Sequence, residues 1–269
     1  MLPENVPAKN MTPITDIALR QVEIYSLIFF RISGIIFTMP FFGSANVPRQ
    51  VRIGLALMVT MVIVPTLNIS GTPLPENILI YTVVVFKELF VGMAIGFIAM
   101  IVFNGIQFSG DLVGFQMGLR IGNVIDPMSE EQISIIGTMQ NLLAVLLYIS
   151  LFWDHFLFKA IGASFAVIPI AGVHLEGPMA MEFVRMTGEV FVIALKMGAP
   201  LLAALFLADV ALGFIARTAP QINVFIIGFP VKVGVGILLL GISLPFFVFV
   251  FTKLVHSMEN DIMILLRYL

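Results

Sequence analysis

The sequence predicts an all-α protein of the integral-membrane type, and three observations carry that reading. Of its 269 residues, 59% are hydrophobic and 11% charged, against roughly 45–50% and about 25% in a soluble domain. Apolar stretches recur along the whole chain, most of them reaching the ~20 residues needed to cross a hydrocarbon layer about 30 Å thick. Within them apolar residues are continuous rather than alternating, and lipid satisfies no backbone N–H or C=O, so the stretches are helices and not barrel strands.

The elements follow in order. Residues 1–16 form a polar leader with Pro3, Pro7 and Pro13 and no basic segment ahead of an apolar core, so it does not read as a cleaved signal peptide. The apolar runs are then Ile24–Phe42, Ile53–Ile69, Ile78–Phe103, Ile133–Trp153, His155–Val173, Phe183–Leu207 and Ile222–Thr252. Pro48, Pro75 and Pro178 each suit the first turn of a helix, where a missing N–H removes no bond. Ser129 followed by Gln132 has the spacing of a capping box, which makes Asp126-Pro127 a turn. No repeat or linker divides residues 17–258, which read as one all-helical domain. In the tail, Leu254, Val255, Met258, Ile262, Leu265, Leu266 and Leu269 share a face at helical spacing, so 259–269 closes an amphipathic helix that lies on lipid or docks on another subunit.

Composition removes several function classes. There is no Cys, and His155, His174 and His256 are too dispersed for a local metal motif. The sequence has no HExxH, GxSxG or paired-aspartate pattern, so no catalytic residue, metal or cofactor is expected and the chain does not read as an enzyme. The 14 Lys and Arg are scattered and the net charge is −2, which leaves no basic stripe for nucleic acid. A self-contained secondary transporter would need inverted repeats, and no half-to-half match is visible.

Charges inside apolar runs are informative because each costs about 2.5–3.5 kcal/mol at the bilayer centre unless it faces protein, water or a counter-charge. They are Arg31, Lys87, Glu88, Arg185, Glu189, Lys196 and Asp209. Arg185 and Glu189 are four apart and are expected to form a buried pair, whereas the adjacent Lys87 and Glu88 point in different directions. Partners for the rest come from other helices of the chain or from neighbouring subunits.

Two stretches stand out. GDLVGFQMGLRIGNVIDP places Gly110, Gly114, Gly118 and Gly122 at every fourth position, beside Phe115, Gln116, Met117, Leu119, Arg120, Ile121 and Asn123, and ends on Asp126 and Pro127. Such a stripe lets helices approach closely, but interior glycines each weaken a helix by ~1 kcal/mol, so a loop that folds into a cavity and blocks it is the competing reading. In RTAPQINVFIIGFP, Pro220 and Pro230 bias the chain towards a broken helix with a tight turn. Arg217 and Gln221 stand beside that break and Gly228-Phe229 precede the second proline.

These two stretches, with VPRQVRIGLAL at Val47–Leu57, resemble the FliR family of flagellar biosynthesis proteins and their injectisome type III secretion counterparts, in the family's order over about residues 20–258. The resemblance implies a core subunit of the flagellar export gate in the bacterial inner membrane, at the centre of the basal body. It implies assembly with FliP-like and FliQ-like partners, an FlhB-like switch protein nearby, and passage of unfolded protein substrates. It also implies that much of the assembled subunit stands above the membrane plane. The loop matching Gly110–Pro127 would be the channel plug, with Phe115, Met117, Leu119 and Ile121 as apolar stoppers. Arg120 departs from the small polar residue expected there.

Overall fold

The computed structural model describes residues 13–43, 47–67, 74–75, 77–119, 134–151, 153–173, 179–221 and 223–269. Among them the secondary structure is helical throughout, without a strand. The helices are α1 (Pro13–Thr38), α2 (Arg49–Ile63, continued by a 3-10 turn, Val64–Thr66), α3 (Ile78–Gln116), α4 (Ile135–Leu151), α5 (Trp153–Val167), α6 (Met179–Thr218), α7 (Val224–Ile242) and α8 (Leu244–Leu266). Leu19–Thr38, Arg49–Thr66, α3 and α6 are each long and apolar enough to cross a membrane, and a fifth span is available if α7 and α8 act as one bent pair.

Several boundaries differ from those expected. α3 does not stop at Phe103 but continues to Gln116, taking Gly110, Gly114, Phe115 and Gln116 into the helix. α4 starts at Ile135, where the Ser134 hydroxyl accepts the Gly137 N–H at 3.1 Å, a helix cap of the usual kind; the expected cap at Ser129 lies outside the described residues. The run Ile222–Thr252 is divided by a 60° bend between α7 and α8, with Pro245 in the first turn of α8. Pro230 does not break the chain, since it sits inside α7 as Pro200 does inside α6.

Backbone packing groups the chain into two compact units: residues 1–96 with 164–174 and 269, and residues 97–163 with 175–268. In the first unit α1 and α3 meet at glycines. A Cβ at Gly34 would lie 2.5 Å from the Leu89 carbonyl, and one at Gly92 would land on the Arg31 carbonyl, so neither position admits a side chain without moving backbone. Leu27, Ile28, Ile32, Ile35 and Ile36 are fully buried, at about 1.5–3 kcal/mol each.

That core holds a polar centre. Arg31 and Glu88 are both wholly buried and form an ion pair at 2.5 Å. Arg31 also donates to the carbonyls of Ser164 and Ile168 at 3.1 and 2.8 Å, and its guanidinium lies 4.3 Å from the centre of the Phe165 ring. Glu88 accepts the Ala171 N–H at 2.9 Å, and Lys87 donates to the Val173 carbonyl at 3.1 Å. Both Lys87 and Glu88 therefore find partners within the chain.

In the second unit the tail docks on its own chain. α8 packs against α6 and α7 and buries Phe247, Phe251, Val255, Met258, Ile262, Leu265 and Leu266. The helix is continuous through the boundary expected between 258 and 259, and Leu254 is only half-buried. Phe103 stacks edge-on against both Tyr148 and Phe251, tying α3, α4 and α8 together.

Candidate functional site

The glycines of the 110–122 stretch do not share one task. Gly110 is a packing residue: a Cβ there would lie 2.5 Å from the Gly137 Cα and 2.8 Å from the Ile136 carbonyl, so bare backbone on both helices lets α3 and α4 touch. At Gly114 the nearest atom to such a Cβ is the Ser134 Oγ at 3.4 Å, an ordinary contact.

Gly118 has a different role, as a helix terminator with φ 85°. Its N–H bonds the Phe115 carbonyl at 3.0 Å and the Leu119 N–H bonds the Gly114 carbonyl at 3.1 Å, the paired bonds of a Schellman motif with glycine in the left-handed position after the cap. Leu119 packs back on the cluster that contains Val113, the apolar contact that accompanies such a motif. Gly122, Asp126 and Pro127, with Arg120 and Ile121, lie outside the described residues.

Met117 corrects the expectation of a stopper. Its side chain is completely buried in a cluster with Val113, Ile136, Leu201 and Leu205. It occupies the notch left by Gly236 on α7, where a Cβ would stand 2.6 Å from its sulfur. An unbranched thioether fills such an irregular space well. Phe115 instead faces outward, 66% exposed.

Both quoted stretches meet at one cavity of about 380 Å³, whose lining includes Met117, Gly118, Asp209, Gly228, Phe229 and Lys232. Gly228 is close to Leu212, with 3.1 Å between that side chain and a Cβ placed on the glycine. Arg217 stands in the last turn of α6, where a cation suits the carbonyl end of the helix dipole. Pro220 and Gln221 form the turn that follows, ahead of α7. Lys232 forms an ion pair with Asp209 and reaches the Gln116 carbonyl oxygen at 3.4 Å. Asp209 was readable as an embedded charge, but Lys232 was missed; the signal was a single cation in an otherwise apolar helix, two residues after Pro230.

Arg185 does bond Glu189, at 2.7 Å, and the side chains are 48% and 33% exposed, so the chain by itself does not bury the pair. Arg185 also bonds Glu182 through Nε at 3.0 Å, a second carboxylate three residues away on the same face. Among the described residues no group of three or more His, Asp or Glu is placed to hold a metal ion.

The sequence model for bacterial export proteins, family 1, matches residues 22–258. The chain belongs to the FliR family of bacterial export proteins. A FliR relative from Bacillus subtilis is 36% identical over 89% of this chain and 92% of its own length. The FliR protein of Escherichia coli is 29% identical over 83% of this chain and 85% of its own, and that of Aquifex aeolicus 28% over 81% and 84%. All three carry the name flagellar biosynthetic protein. FliR membership and the long apolar helices make the chain a membrane protein of the export apparatus.

Proposed function

We propose that this subunit of the flagellar export apparatus is a core part of the export gate, forming with FliP-like and FliQ-like partners the channel through which unfolded flagellar proteins leave. An FlhB-like switch protein docks nearby. In this reading the subunit belongs to the inner membrane at the centre of the basal body, with part of it standing above the membrane plane. The flagellar names of the relatives favour a flagellum over an injectisome. The end of α3 and the segment that follows it, up to Pro127, act as the channel plug, with Phe115 and Ile121, and not the buried Met117, closing the path when no substrate is present.

The observation that carries the plug reading is the end of α3. The helix holds a large aromatic, Phe115, outward at its last turn and is ended by the left-handed Gly118. Hydrophobic constrictions close pores by excluding water, which suits a channel that must pass protein and retain ions.

The test compares two quantities in the same cells. Phe115→Ser combined with removal of residues 121–125 should leave the yield of assembled gate unchanged and raise leakage of ions and small solutes. Intact complexes with unchanged conductance would overturn the plug reading. Loss of assembly together with no leak would assign the stretch to packing.

A further inference from the structure

We propose that Lys232 and Gly236 form a two-point latch that holds the end of α3 on α7, and that this latch keeps the plug root in place. The inference rests on the plug reading for its consequence in the gate, but the latch itself is a local geometry. The first point is Met117, seated in the notch above Gly236. The second is Lys232, which is bonded to Asp209 on α6 and aimed at the Gln116 carbonyl.

That carbonyl is special in the Schellman ending. Gly118 and Leu119 occupy the Phe115 and Gly114 carbonyls, and the Met117 N–H takes that of Val113. The Gln116 carbonyl is the one the ammonium reaches, so a side chain of α7 completes the termination of α3. A cation at a helix C-terminus is held both by the dipole and by exposed oxygens. Asp209 fixes the ammonium, whose flexible stem would otherwise sample many directions.

Two features make the contact releasable. The adjoining cavity of about 380 Å³ borders Met117, Gly118 and Lys232, giving these side chains room to leave their seats. Lys232 and Asp209 are also not closed off by the chain itself, with side chains 23% and 37% exposed, so neither is locked into the subunit's own core.

The chain has no cysteine, so Val113→Cys, in the buried cluster that holds Met117, supplies a single reporter for a membrane-impermeant maleimide in the assembled gate. With Lys232→Gln in that background, labelling should quicken about twofold to thirtyfold, the range that a helix-terminal cation contributes. Lys232→Arg should label like the parent. Exchanging the pair, Asp209→Lys with Lys232→Asp, should not restore protection, because an aspartate at 232 repels the Gln116 carbonyl. If the pair merely ties α6 to α7, the exchange restores protection and the latch is refuted. Gly236→Leu, which fills the notch in the chain that retains Met117, tests the other point by leakage and by protease sensitivity after Gln116. Faster labelling with no leak upholds the latch and refutes the plug, whereas unchanged labelling in Lys232→Gln overturns the latch whatever the leak.

Discussion

Replacing Arg31 with methionine removes the buried cation of the first unit and keeps much of its volume. Glu88, wholly buried, would then keep one donor that the structure identifies, the Ala171 N–H at 2.9 Å. Breaking a buried pair from one side costs about 3–5 kcal/mol, because the surviving charge is left uncompensated. Glu88→Gln should be milder. Its amide oxygen can still take the Ala171 N–H, and Arg31 keeps the Ser164 and Ile168 carbonyls and the Phe165 ring. Each hydrogen bond to a charged group is worth about 1.5–3 kcal/mol, so the cation that keeps two of them is left less stranded than the Glu88 carboxylate in Arg31→Met. At about 2–4 °C per kcal/mol for a chain of nearly this size, Arg31→Met lowers the unfolding midpoint by about 6–20 °C. The double variant, neutral on both sides, should lie closer to wild type than Arg31→Met alone. The assay is thermal unfolding of the purified assembly, followed by size-exclusion of the heated samples. Equal losses from the two single variants, or a double variant equal to their sum, would refute the charge-compensation account.

Other positions yield sharper contrasts. Gly118→Val should lower the yield of folded subunit, by about 1–2 kcal/mol for a left-handed residue with a branched side chain, while Gly118→Asn is tolerated; equal behaviour of the two would remove the helix-ending role. Gly110→Ala, which pushes a methyl onto the Gly137 backbone, should destabilise more than Gly114→Ala in the same thermal assay. Ala171 has φ 64°, so Ala171→Gly should stabilise the chain by about 0.5–1 kcal/mol of relieved strain and raise the midpoint accordingly. Because Arg185 has two carboxylates and is half exposed, Glu189→Leu should change stability by less than about 1 kcal/mol, and a double-mutant cycle with Arg185→Leu should show little coupling.

The helices were legible because continuous apolar runs in a poorly charged chain leave no other secondary structure. Their ends were harder to read. The glycines that suggested a loop from Gly110 are tolerated inside α3, because Gly137 on α4 receives the bare backbone and burial outweighs the intrinsic penalty. Among the described glycines of the stretch only Gly118 has the conformation that ends the helix, and periodicity does not distinguish it from its neighbours at 110 and 114. Met117 looked like a stopper for the same reason: its burial depends on Gly236, more than a hundred residues away. Of the embedded charges, Arg31, Lys87, Glu88, Arg185, Glu189 and Asp209 each have a partner within the chain. Pairing Arg31 with Glu88 requires knowing that α1 and α3 cross at Gly34 and Gly92, which spacing along one helix does not reveal. Arg185 and Glu189 were paired by spacing, but spacing carries no information about exposure.

The 40 residues of α6 have a consequence for how the subunit meets lipid. At 1.5 Å per residue the helix is about 60 Å long if straight, twice the thickness of the hydrocarbon layer. Leaning could absorb that excess only at about 60° from the membrane normal, beyond the 0–40° found for spanning helices. Hydrophobic mismatch on that scale leaves apolar turns at one end or the other, those bearing Met181 and Val184 or those bearing Phe206, Leu207 and Phe214, all well exposed in the isolated chain, outside any single bilayer. A protein neighbour, and not lipid, has to cover them. Delivery of the chain without its partners should therefore be an aggregation hazard in the cell, and synthesis of the gate subunits should need to be matched in time and amount.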